Sequence, residues 1–232
     1  RDRQRHMIAS IDTVESGLAV CLLMTAIGCL FDRHLLRACW LLVLFALLMS
    51  AAWWYLNAPW LALVEVILGS ALTGGGFIYV LRTLPSQRLW MPRYDRMRVE
   101  WPHRLTKGLL IIAWSIMLGV ATQFLLPDMA LSLTAHPLIL SSVVIVSLGM
   151  GAFALHHHLM RRLMAFNVLG SGVFLMLAGM AGTSPSAQAL ITVGLLIAWL
   201  GSLLGVLLLR QLVHQEGSAA LNDEYAPVRP PS

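Results

Sequence analysis

At 232 residues, with 12% charged and 58% hydrophobic side chains, the chain falls far below the roughly one-quarter charge of soluble domains. This excludes a soluble globular domain and points to an all-α polytopic membrane protein, since each bilayer-crossing helix takes about 20 mostly apolar residues. The net charge of +5 is then no argument for nucleic acid, because basic residues in such chains chiefly set orientation.

Hydropathy predicts seven spans, over roughly 13–31, 38–56, 60–81, 108–126, 137–155, 163–181 and 188–209. The chain begins at Arg1 without a methionine, so an upstream piece is expected, and the first run reads as a genuine span rather than a cleaved signal. Asp12 and Glu15 stand three apart at its head. They read as caps of their own helix, acidic groups favouring its positive end; an outer ion-entry role is the alternative. Cys21, Cys29 and Cys39 lie in or beside apolar runs without metal spacing and read as small hydrophobes.

The third span contains the sharpest feature, "NAPWLALVEVILGSALTGGG" at residues 57–76. Glu65 lies about 9 Å into the helix that opens at Pro59, at 1.5 Å per residue. A charge at the centre of a span costs on the order of 2.5–3.5 kcal/mol even on the mildest scale. Glu65 is therefore protonated, paired with a cation on another helix, or in contact with water. The first outcome makes it a candidate proton carrier; the plainer reading is a neutral acid acting as glue between helices. No Lys or Arg lies within another span, so a partner subunit or a wet cavity is the expected remedy. Gly69 and Thr73 form a small-xxx-small pair suited to close packing. Gly74, Gly75 and Gly76 each weaken a helix by about 1 kcal/mol relative to alanine, and predict either a tight packing face or a kink lining a water path.

Residues 82–107 follow as a basic linker, with Pro85, Pro92 and Pro102 expected to interrupt helix and Trp90, Tyr94 and Trp101 among arginines. That mixture suits a headgroup interface, as a solvated anchor or a docking strip for partner subunits or anionic lipid. The linker separates a three-span module (1–81) from a four-span one (108–214), with a tail at 215–232. His156, His157 and His158 beside Arg161 and Arg162 read as a polar cap in a turn of five to seven residues, with a pH-sensitive interface as the alternative. Gly201 and Gly205 form a GxxxG face for packing. Lys107, Gln123 and Asn167 join Glu65 as candidates for a proton or ion path, with interhelical hydrogen bonding the default for the amides and for Gln188. No nucleophile with a base, phosphate loop or metal spacing occurs, so an independent enzyme, a metal and a cofactor are not expected. The connections after the odd-numbered spans hold most of the 16 Lys and Arg, whereas those after the even-numbered spans hold none. The positive-inside rule thus places the carboxyl terminus in the cytoplasm.

Residues 32–81 resemble the MbhD-like domain of Mrp-type sodium/proton antiporters and of membrane-bound hydrogenases related to respiratory complex I. Ala58, Pro59, Ala62, Leu63, Glu65, Gly69 and Ala71 match that family's hallmark stretch, and Trp60 departs from it where an acidic residue is usual. The resemblance implies that Glu65 is the family's membrane carboxylate. From about residue 137 the chain resembles the three-span subunit called MrpC in antiporters and NuoK in complex I. A glycine-bearing span, the turn ending Arg161-Arg162 and the run Gln188-Ala189-Leu190-Ile191-Thr192 carry that likeness. Asn167 replaces a NuoK glutamate, so this half is expected to hold no complex I style relay. Together the resemblances imply a small subunit of a multi-subunit cation/proton translocating assembly in a prokaryotic inner membrane, beside larger antiporter-like subunits and moving protons and, in the alternative, Na+. A passive scaffold and a membrane-arm subunit of a hydrogenase or other redox complex are the rival readings.

Overall fold

The computed structural model describes residues 2–32, 34–83, 101–125, 137–156, 158–181 and 184–216. The elements among them are helices: α1 (Asp2–Phe31), α2 (Leu35–Tyr55), α3 (Pro59–Glu65), a π-helical segment (Val66–Gly74), α4 (Gly75–Thr83), α5 (Trp101–Leu125), α6 (Pro137–Leu155), α7 (Leu159–Ala181) and α8 (Pro185–Glu216). The segment α3–π–α4 is one continuous rod, the third span. Three of the starts fall on prolines, Pro59, Pro137 and Pro185, where a missing N–H costs nothing because the first turn has no intrahelical acceptor for it.

Six stretches are long and apolar enough to cross a membrane: Thr13–Phe31, Leu35–Tyr55, Pro59–Arg82, Pro137–Leu155, Leu159–Met180 and Pro185–Leu212. The apolar part of α5, Gly108–Ala121, is shorter. The protein is an all-α, multi-pass membrane protein.

The long helices close a ring. α1 packs on α2, α2 on the third span, the third span on α8, α8 on α7, α7 on α6, and α6 back on α1. Contacts of α7 with α1 and α2 cross the middle, and Trp53, Phe45, Phe77, Leu22, Met49 and Met164 fill it. α5 stands outside the ring against α6. The α6–α7 approach depends on missing side chains, since a carbon added to Gly149 would lie 2.9 Å from the Leu169 backbone.

Several local expectations change. α5 begins at Trp101, earlier than the 108 foreseen, with Pro102 in its first turn where proline is tolerated rather than disruptive. The rest of the linker, 84–100, lies outside the described residues. α7 begins at Leu159, so Arg161 and Arg162 belong to a helix and the turn before it is short. That turn is not a solvated cap. His156 is buried, its Nε2 2.9 Å from the Leu30 carbonyl oxygen at the end of α1. Arg161 is buried beside it, and Arg162 lies over the Phe153 ring at 4.9 Å. His157 falls outside the described residues. The turn docks because α1 ends against it, and a contact across 126 residues leaves no mark on local composition.

Candidate functional site

Glu65 is the last residue of α3 and the threshold of the π-helical segment. Its height is set by the connection from α2, a reversal at Leu56, Asn57 and Ala58. The Asn57 N–H donates to Trp54 and the Ala58 N–H to Trp53. Asn57 adopts φ 57°, a left-handed conformation that asparagine tolerates better than most residues. One turn before Glu65, the Ser50 hydroxyl of α2 donates to the Ala62 carbonyl at 2.9 Å, locking the two helices in register.

The Glu65 side chain is 3% exposed. Among the described residues no hydrogen bond or ion pair reaches its carboxyl. The carboxyl occupies the space left by Gly69: a side-chain carbon there would lie 2.7 Å from Glu65 Oε1 and 3.3 Å from Ala46 Cβ of α2. The acid is therefore held in a slot between a bare stretch of its own helix and α2. Trp53, three residues beyond Ser50, is fully buried with its indole Nε1 unpartnered among the described residues. The described residues thus satisfy neither this buried indole of α2 nor the acid of the third span.

From Val66 to Gly74 the helix is π-wound, a rare form that recurs at functional positions. The Thr73 hydroxyl donates to the Leu68 carbonyl, five residues back, at 2.6 Å. Glycine makes the winding possible where α2 presses closest, since a carbon on Gly74 would collide with Val43. α-Helix resumes at Gly75, and carbons on Gly75 or Gly76 would meet nothing within 4 Å.

The other candidates do not gather around Glu65. Lys107 and Gln123 are on α5, the helix outside the ring; their side chains fall outside the described set. Asn167 joins α7 to α8: its Nδ2 donates to the Leu163 carbonyl at 2.9 Å and its Oδ1 lies 2.8 Å from the Ser202 hydroxyl. Gly205 packs on Leu163, whereas Gly201 faces outward with nothing near it.

A second acid acquires an unforeseen role. α1 starts at Asp2, so Glu15 is deep in the helix rather than at its head and cannot cap it. Its carboxylate instead receives the Tyr55 hydroxyl at 3.4 Å and the Leu138 N–H at 3.5 Å. That N–H is one of the first-turn donors that α6 cannot satisfy itself, and a carboxylate there also meets the positive end of the helix. Ser202, Tyr55 and Trp53 are the residues that sequence reasoning passed over. Each is an ordinary residue in an apolar run; the signal for Ser202 and Tyr55 is a partner on another helix, and for Trp53 it is a buried indole that the described residues leave unpartnered.

No curated protein and no solved structure matches the chain. The segment that builds the slot, from within α1 through α4, does find a counterpart: residues 20–86 match the family model of MbhD, a subunit of MBH.

Proposed function

We propose that this chain is a small subunit of a multi-subunit, Mrp-type cation/proton translocating membrane assembly, and that Glu65 carries protons within it. The observation that carries the reading is the slot itself. A buried acid with no described protein partner stands at the head of a π-helical segment, inside the stretch that matches the MbhD family. A carboxyl kept solely as glue would be expected to hold a partner of its own, because an unsatisfied buried polar group costs about 1–3 kcal/mol. A carrier needs neighbours that come and go, water or a group on an adjoining subunit.

The second half fits a sealing and coupling role in this scheme. The Asn167 amide is engaged by Leu163 and Ser202 and exchanges no protons. By the distribution of basic residues the carboxyl terminus lies in the cytoplasm of a prokaryotic cell, and the partners are larger antiporter-like subunits.

The test replaces Glu65 in the complete assembly and measures ion-driven proton movement in everted membrane vesicles. Glu65→Gln keeps shape and loses the proton; at least a tenfold loss of transport with normal assembly is expected, with partial activity in Glu65→Asp. Unchanged transport in Glu65→Gln across pH, with failed assembly in Glu65→Leu, would establish the scaffold reading instead.

A further inference from the structure

Beyond the Glu65 slot, two helices from opposite halves of the chain meet at the far end of the third span. α4 packs on α8, and both run toward the same end of the bundle. There the Arg210 guanidinium of α8 lies over the Tyr79 ring of α4, 5.7 Å from its centroid. Arg82 follows Tyr79 by three residues and His214 follows Arg210 by four, spacings that keep each pair on one helix face. All four side chains are exposed. Arg82 and Arg210 close the apolar stretches Pro59–Arg82 and Pro185–Leu212, which sets them at headgroup height. Among the described residues neither forms an ion pair.

Away from this rim the same faces turn apolar. On the third span, Leu72 of the π-helical segment and Gly75 of α4 continue the line of Tyr79, both exposed, with open space beside Gly75. On α8, Leu203 and Leu207 continue the line of Arg210, also exposed. An exposed apolar strip that ends in two arginines and a tyrosine is complementary to a negatively charged head with a hydrocarbon tail. Guanidinium groups bind phosphate oxygens through paired N–H donors, tyrosine favours the interface, and basic pockets between spans are where anionic headgroups settle.

We propose that the α4–α8 seam binds one anionic phospholipid, its phosphate on Arg82 and Arg210 and an acyl chain along Gly75 and Leu207. Glu65 plays no part in this site, so its outcome is separable from the transport reading.

The full chain, purified in mild detergent, is titrated with phosphatidylglycerol or phosphatidylcholine and its bound lipid counted by native mass spectrometry. One phosphatidylglycerol is expected with at least a tenfold preference over phosphatidylcholine. The Arg82→Gln/Arg210→Gln double variant should abolish that preference, and Gly75→Leu, which leaves the charges in place, should weaken retention several-fold. Arg37→Gln, on the same basic end but outside the seam, should retain the lipid as the parent does. Equal retention of both lipids, unchanged retention in a monodisperse double variant, or an equal loss in Arg37→Gln would overturn the site. Should the double variant fail to fold, Gly75→Leu and Arg37→Gln still decide the matter.

Discussion

The Glu65 carboxyl lies where a side chain on Gly69 would stand, which makes a single added methyl informative. Gly69→Ala should improve intrinsic helix propensity by about 1 kcal/mol and cost a similar amount in crowding at Ala46 and the carboxyl. The thermal midpoint in detergent should therefore move little, while transport by the assembly should fall several-fold because the acid is displaced. A large loss of stability would show that the slot is a rigid packing contact. For Asn167 and Ser202, a double-mutant cycle with Asn167→Leu and Ser202→Ala should give a coupling of about 0.6–2 kcal/mol, the range for polar contacts between spanning helices. A coupling near zero would mean that the 2.8 Å contact contributes nothing. Glu65 was legible in the sequence because one acid in a long apolar run is conspicuous without any partner in view. Ser202 was not, because a hydroxyl in such a run has meaning only through a neighbour supplied by another helix; Trp53 was not, because only the packed fold shows its indole buried without a described partner.

The third span shows at the scale of an element what glycine allows and what packing decides. The run Gly74-Gly75-Gly76 announced a weak helix, and a kink or a packing face were both open. A π-wound stretch starting at Val66 was not legible there, since the glycines mark where Val43 and Ala46 of α2 approach the segment and not how the backbone between them winds. The wide turn takes up an extra residue. Deleting Ala71 removes it and lets the stretch rewind as α-helix with little net rotation of its two ends, so that the winding alone is lost. Full-length chain should still insert, and transport should be lost; retained transport would show that the winding is incidental. Glu15 offers a second case. Its spacing from Asp12 suggested a cap, and it is one, but for α6 rather than α1. Glu15→Ala should destabilise the chain by about 1 kcal/mol, and combining it with Tyr55→Phe should cost less than the sum of the two single losses, because both remove the 3.4 Å contact. Thermal unfolding of the two single variants and the double variant would check this; strictly additive losses would show that the contact contributes nothing.

Across the whole molecule, six of the expected spans emerged almost as hydropathy drew them, because apolar length alone decides what can lie in lipid. Their arrangement could not be read this way. The sequence divides at its basic linker into two runs of spans, yet α1 packs on α6 and the third span on α8, so both halves build one ring. A protease site placed within residues 84–100 should therefore leave the two cut halves co-eluting in mild detergent, held by the α1–α6 and third span–α8 seams. Separation on size exclusion would mean that the halves are independent modules.

The reversal at Asn57 has a bearing on the surroundings as well as on the site. A tether of three residues ties the acid to one membrane surface, whereas the apolar stretch of α8, Pro185–Leu212 at 28 residues, is roughly 42 Å long against about 30 Å of hydrocarbon. Lipids of different chain length would tilt that rod and leave the distance from that surface to the acid unchanged.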